Sequence, residues 1–147
     1  MRRYELILIL RPSLGEAEIT TVIDYTTKII SDENGTIIDL NKWGMKKLAY
    51  PIKKELQGYY VFCEYAGTPA AVAEIERKYR IDDAVLKYLT IKTAESMTDE
   101  EIQAAIGETE ARKAAAAKEA EEAAEAEAGT EAETAEASET EEPAAQE

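Results

Sequence analysis

Residues 4–10 read Tyr-Glu-Leu-Ile-Leu-Ile-Leu, a nearly unbroken apolar run of strand length that Pro12 closes, as expected of a central strand. Ser13-Leu14-Gly15-Glu16 has capping-box spacing, and Ile19, Val22, Ile23, Thr26, Ile29 and Ile30 then fall on one helical face up to the stop signal Asn34-Gly35. Extended character resumes at Thr36 and runs to Ile52. A bulge is expected at Gly44, and Pro51, which has no N–H to donate, confines its segment to a strand end or an edge strand. A polar turn over 53–58 leads to a third strand over 59–65, and the two strands form a hairpin. Thr68-Pro69 supplies an N-cap before a proline at the first helical position, with Val72, Ile75 and Tyr79 on the inner face of the second helix. Residues 85–93 form the last strand, with Leu89 and Ile91 on one face and Tyr88, Thr90 and Lys92 on the other. Strand, helix, strand, strand, helix, strand predicts an α+β fold of the ferredoxin-like split type: a four-stranded antiparallel sheet with two helices on one face.

Past Thr93 the pattern changes. Thr98-Asp99-Glu100-Glu101 caps one short helix through Ile102 and Ile106. Alanine and glutamate then dominate without a continuing apolar stripe, so 111–128 reads as intermittently helical and 129–147 as disordered. Charge draws the same line. Residues 1–94 hold 14 Lys+Arg against 13 Asp+Glu, net +1, and residues 95–147 hold 3 against 18, net −15; together they make the total of −14. We therefore expect a globular domain over 1–94 and an acidic Ala/Glu-rich tail over 95–147. An acidic total argues against a nucleic-acid partner, and this partition removes that objection.

The composition offers little for catalysis. There is no histidine, and Cys63, the single cysteine, sits inside an apolar run, as a buried thiol in a reducing cytoplasmic compartment would. No Gly-rich phosphate loop or metal-ligand spacing appears, so neither an enzyme, a cofactor nor a small-molecule substrate is expected. The N-terminus superficially imitates a signal peptide, but its uninterrupted apolar run spans only 6–10 and no small-residue cleavage site follows. No segment approaches membrane-spanning length, so no membrane partner is expected.

Basic residues are the positive signal. Arg2 and Arg3 precede the first strand, Lys46, Lys47, Lys53 and Lys54 flank Trp43, Tyr50 and Pro51, and Arg77, Lys78, Arg80 and Lys87 lie around the end of the second helix. An edge strand that carries lysines and large aromatics suits docking onto RNA or a protein. Edge lysines also guard a sheet against aggregation, and Trp43 and Tyr50 at strand spacing suit a core as well as a partner surface.

The segment Gly44, Lys46, Leu48-Ala49-Tyr50-Pro51-Ile52, Lys54 and Gly58-Tyr59, with the opening Met1-Arg2-Arg3-Tyr4-Glu5, resembles bacterial small-subunit ribosomal protein six over about residues 1–94. That resemblance implies a ferredoxin-like domain without enzymatic activity, located in the cytoplasmic ribosome. It would bind small-subunit ribosomal RNA together with small-subunit ribosomal protein eighteen. The acidic tail resembles the variable extensions of some members. Lys46 and Lys47 stand where many members carry arginine, which leaves phosphate contact but not bidentate recognition. On this reading Arg2, Arg3, Lys46, Lys47, Lys53, Lys54, Arg80 and Lys87 neutralise RNA phosphates, and Trp43, Tyr50 and Pro51 meet the protein partner. Two alternatives stand beside it. One is a generic RNA-recognition module stacking single-stranded bases on Tyr60 and Phe62, and the other a ferredoxin-like pairing module that binds no RNA.

Overall fold

The computed structural model describes residues 1–116. Its elements are β1 (Arg2–Leu10), α1 (Glu16–Asp32), β2 (Thr36–Ile52), β3 (Glu55–Gly67), α2 (Pro69–Ile81) and β4 (Val85–Ala94), followed by helical residues 99–116. The strands form one antiparallel sheet in the order β2-β3-β1-β4, with β1 and β3 central. This is the expected ferredoxin-like arrangement.

Strand alternation decides the two faces. Tyr4, Leu6, Leu8 and Leu10 of β1 and Val61, Cys63 and Tyr65 of β3 are buried together with Ile19, Val22, Ile23 and Ile30 of α1 and Ile75 and Tyr79 of α2. Both helices thus cover one face of the sheet. The other face, through Ile7 paired with Phe62 and Ile9 with Tyr60, carries no helix of this pair. Burying the apolar side chains of this one core, at about 1.5–3 kcal/mol each, is what offsets the chain entropy of a domain this size.

Local signals were met with two shifts. Thr68 Oγ1 accepts the N–H of Ala71 at 3.3 Å and caps α2, as expected. The α1 cap, however, is Gly15, whose N–H donates to Glu18 at 2.9 Å, not Ser13 with Glu16. Ser13 is occupied in a turn that the Leu14 N–H closes on the Arg11 carbonyl, so the helix starts two residues later. The second shift concerns the hairpin. β3 begins at Glu55, not at 59, because the turn is only Lys53-Lys54, with φ of 48° and 70°. Two-residue hairpin turns favour positive φ at both central positions, and here lysines adopt it without the usual Asn-Gly signature.

The expected boundary at 94 also moves. Ile102 and Ala105 are buried against Ile38 and Ala66, with Met97 and Ile106 half-buried beside them. Thr98 and Glu101 form the expected capping box, with the Thr98 N–H donating to Glu101 at 2.8 Å and the Glu101 N–H donating to Thr98 Oγ1 at 3.3 Å. The Met1 ammonium donates to the Met97 carbonyl at 2.9 Å and ties the segment to the chain start. The compact unit therefore runs to Gly107. Charge composition places the boundary too early because four apolar side chains past residue 94 belong to the fold. Residues 111–116 are helical, and the expectations for 117–147 lie outside the described residues.

Candidate nucleic-acid and protein interface

The site is the open face of the sheet and the outer half of β2. β2 pairs only with β3 among the described residues, so it is an edge strand, and Pro51 stands near its end, both positions that a proline allows. Between Lys42 and Gly44 the ladder slips by one residue, and Gly44 holds φ of 80°. A Cβ there would meet nothing within 4 Å, so glycine is needed for its backbone conformation and not for space. The bulge lays Trp43 on Phe62 with ring centroids 5.6 Å apart and planes 6° from parallel, and places Lys46 Nζ 5.4 Å from the indole. Trp43 is 46% exposed and Tyr50 57%, so neither serves the domain core.

A larger irregularity follows. Lys47 pairs with Gln57 and Ile52 with Glu55, so Leu48 to Pro51 face Leu56 alone. The surplus chain lifts from the ladder as an arm over the open face. Lys53 Nζ donates to the Val85 carbonyl at 3.0 Å, and Lys87 Nζ donates to Tyr50 Oη at 2.9 Å. That bond raises the pKa of Lys87 above the ordinary lysine value. Beneath the arm lies an apolar cleft of about 220 Å³, bounded by Ile7, Ile9, Leu48, Tyr50, Tyr60 and Leu89. Gly58 lets β3 pack closely on β1 at the cleft's edge, because a Cβ there would stand 2.5 Å from Ile9 Cγ2, while Leu48 Cδ2 would be in ordinary contact at 3.7 Å.

Of the expected basic residues, the hairpin gathers Lys46, Lys47, Lys53 and Lys54, and the arm brings Lys87 to them. Arg2 and Arg3 stand at the other end of β1, where Arg3 forms an ion pair with the buried carboxylate of Glu64. Arg3 and Leu10 are seven residues apart, about 23 Å along the strand. Arg80 lies in the last turn of α2, its Nε donating to Tyr88 Oη at 3.2 Å and a second guanidinium nitrogen reaching Glu76 at 3.4 Å. Tyr88 packs against Tyr79 of the core at 5.5 Å. The eight basic residues therefore form no continuous patch, and Arg3, Lys53, Arg80 and Lys87 already hold bonds within the chain.

The apolar part of the face is wider than the three expected partner residues. Leu89, 52% exposed, and Ile91 extend it onto β4, since β4 turns Tyr88 inward and these two outward. The strand alternation carried this signal once the register of β4 against β1 was known. Cys63 is no nucleophile here. Burial, with Asp39 and Glu64 nearby, pushes its thiol up to about 12.

Comparison with known proteins now decides the family. The sequence model described as "Ribosomal protein S6" matches residues 3–92. The chain belongs to the ribosomal protein S6 family. It is 57% identical over 116 residues to small ribosomal subunit protein bS6 of Desulfotalea psychrophila, covering 78% of this chain and 73% of that one. With bS6 of Moorella thermoacetica it shares 43% over 95 residues, 65% of this chain and 97% of that protein. The crystal structure of 30S ribosomal protein S6 from Thermotoga maritima superposes with a TM-score of 0.59 at 29% identity, covering 62% of this chain and 86% of that one. This S6-family chain is thus a structural protein of the small ribosomal subunit in the cytoplasm, not an enzyme.

Proposed function

We propose that this chain binds small-subunit ribosomal RNA together with small-subunit ribosomal protein eighteen. The protein partner would meet the open face around Trp43, Tyr50 and Pro51, and RNA phosphates would meet the lysines that border it. The observation that supports this most is the half-exposed Trp43–Phe62 stack next to Lys46 and Lys47 on an edge strand that pairs only with β3 among the described residues. An exposed aromatic pair on an apolar sheet face is the usual carrier of protein interface energy, and flanking ammonium groups supply salt-sensitive attraction to RNA. The proposed phosphate contacts are Lys46, Lys47 and Lys54, with Arg2 at the far end of β1. A single-strand reader is less well supported, because Trp43 already stacks, offset, against the Phe62 ring and β1 offers Ile7 and Ile9 where a stacking aromatic would be wanted.

The test is a titration of a small-subunit ribosomal RNA fragment, with and without protein eighteen, at several salt concentrations. With about four phosphate contacts, log affinity should fall against log salt with a slope of roughly −3 to −5, and tight binding should require the protein partner. Tight binding to short single strands without the partner would favour the base-stacking module, and no binding to RNA would favour a pairing module.

A further inference from the structure

We infer that Lys53 and Lys87 are positioning residues that tie the two outer strands of the sheet together across its open face and hold the β2 arm in its arched shape. β2 and β4 are opposite edges in the order β2-β3-β1-β4. At about 4.8 Å per strand they are about 14 Å apart, too far to share a ladder. The side chains of Tyr50, Lys53 and Lys87 bridge that gap. Over Leu48 to Pro51 the arm has left its register with β3, so no ladder holds it there, and Pro51 has no N–H to offer a neighbour.

Two polar ties fasten it instead, and they are reciprocal. Lys53, at the end of the arm, donates to the backbone of β4 at Val85, while Lys87 of β4 donates to the hydroxyl of Tyr50 on the arm. Each lysine belongs to one edge and its acceptor to the other. Leu48 is buried beside Gly58, which fixes the arm's root, and the ties fix its far end above the cleft floored by Ile7, Ile9 and Leu89. A lysine engaged this way cannot contact a phosphate without releasing the arm. Lys53 and Lys87 therefore act on binding through the shape of the arm, not as phosphate contacts.

The shape is measurable on the free protein. Only the consequence for assembly rests on the interface proposed above. The experiment uses the full chain and variants Tyr50→Phe, Lys87→Met, Lys87→Arg and Lys53→Met, with the neighbouring exposed Lys54→Met as control. Backbone NMR order parameters at Ala49, Tyr50 and Ile52 should be near about 0.85 in the parent and fall below about 0.6 when a tie is cut. The parent's Overhauser contacts between the Tyr50 ring and the Lys87 side chain should disappear in Lys87→Met and return, to the arginine side chain, in Lys87→Arg. Combining Tyr50→Phe with Lys87→Met should loosen the arm no further than either alone. Lys54→Met should leave the arm rigid and make the salt slope for RNA shallower by about 0.9, a change Lys87→Met should not produce. An arm equally rigid in all variants would overturn the inference and leave the proposed function standing. So would a Lys87→Met chain that keeps a rigid arm but loses about 0.9 of the salt slope. If instead the arm loosens as expected while RNA and protein eighteen fail to bind the parent chain, the ties stand and the interface reading falls.

Discussion

Replacing Ile102 by alanine should destabilise the domain although the residue lies past the last strand. The side chain is 3% exposed and packs with Ile38, Ala66 and Ala105. The substitution removes three carbons, which at about 0.8 kcal/mol per buried methylene comes to about 2.4 kcal/mol. A cavity would add to this, but Met97 and Ile106 are half-buried neighbours able to settle into the gap, so the cost stays near the lower end of the 2–5 kcal/mol range for such truncations. For a compact unit ending at Gly107, with an unfolding entropy of about 2.1 cal/mol/K per residue, that corresponds to a Tm about 10 °C lower. Scanning calorimetry of the parent, Ile102→Ala and a chain cut after Ala94 measures it. The shortened chain, which lacks Met97, Ile102, Ala105 and Ile106, should melt at least as low as the point variant. A Tm for Ile102→Ala within about 1 °C of the parent would show that the segment does not belong to the domain.

Two further outcomes are expected. Gly58→Ala should cost about 1–3 kcal/mol in urea unfolding, since its Cβ would stand 2.5 Å from Ile9 Cγ2 and 3.3 Å from the Leu10 carbonyl, and an unchanged midpoint would contradict the close packing of β3 on β1. Stability should decline steadily above about pH 9, measured as the urea midpoint from pH 8 to 11, because the folded chain keeps the Cys63 proton up to about 12 while the unfolded thiol loses it near 9, so unfolding releases a proton. Tyr25, Tyr65 and Tyr79, also raised chiefly by burial, act in the same direction, and a midpoint independent of pH would be inconsistent with their burial.

What the sequence disclosed and what it concealed have separate physical causes. The run over 4–10, the helical stripes and the Thr68-Pro69 cap are local patterns, and they led to the sheet and both helices. The Gly44 bulge was legible because glycine marks positive φ. The Lys53-Lys54 turn was not, because lysine carries no preference for that conformation and tertiary ties hold it there. Ile102 and Ile106 showed as a helical pair, but their docking partners Ile38 and Ala66 are about 40–65 residues away in sequence and outside any local window. The candidate site was half visible. Trp43, Tyr50 and the hairpin lysines stood out by type, whereas the bonds that engage Arg3 with Glu64, Arg80 with Tyr88 and Lys87 with Tyr50 exist only through the register of distant strands. Leu89 and Ile91 were seen to share a face, and only the register of β4 against β1 makes that face the open one.

The most direct test of the account is the assembly of this chain with small-subunit ribosomal RNA and protein eighteen, compared between the parent and Trp43→Ala. Trp43 is 46% exposed and stacks on Phe62, so its loss should lower folding stability by about 1 kcal/mol. If the open face is the partner surface, the assembly constant should fall by more than about 2 kcal/mol, roughly thirtyfold, while the melting temperature shifts by only a few degrees. Assembly at the parent's affinity by a folded Trp43→Ala chain would contradict the account.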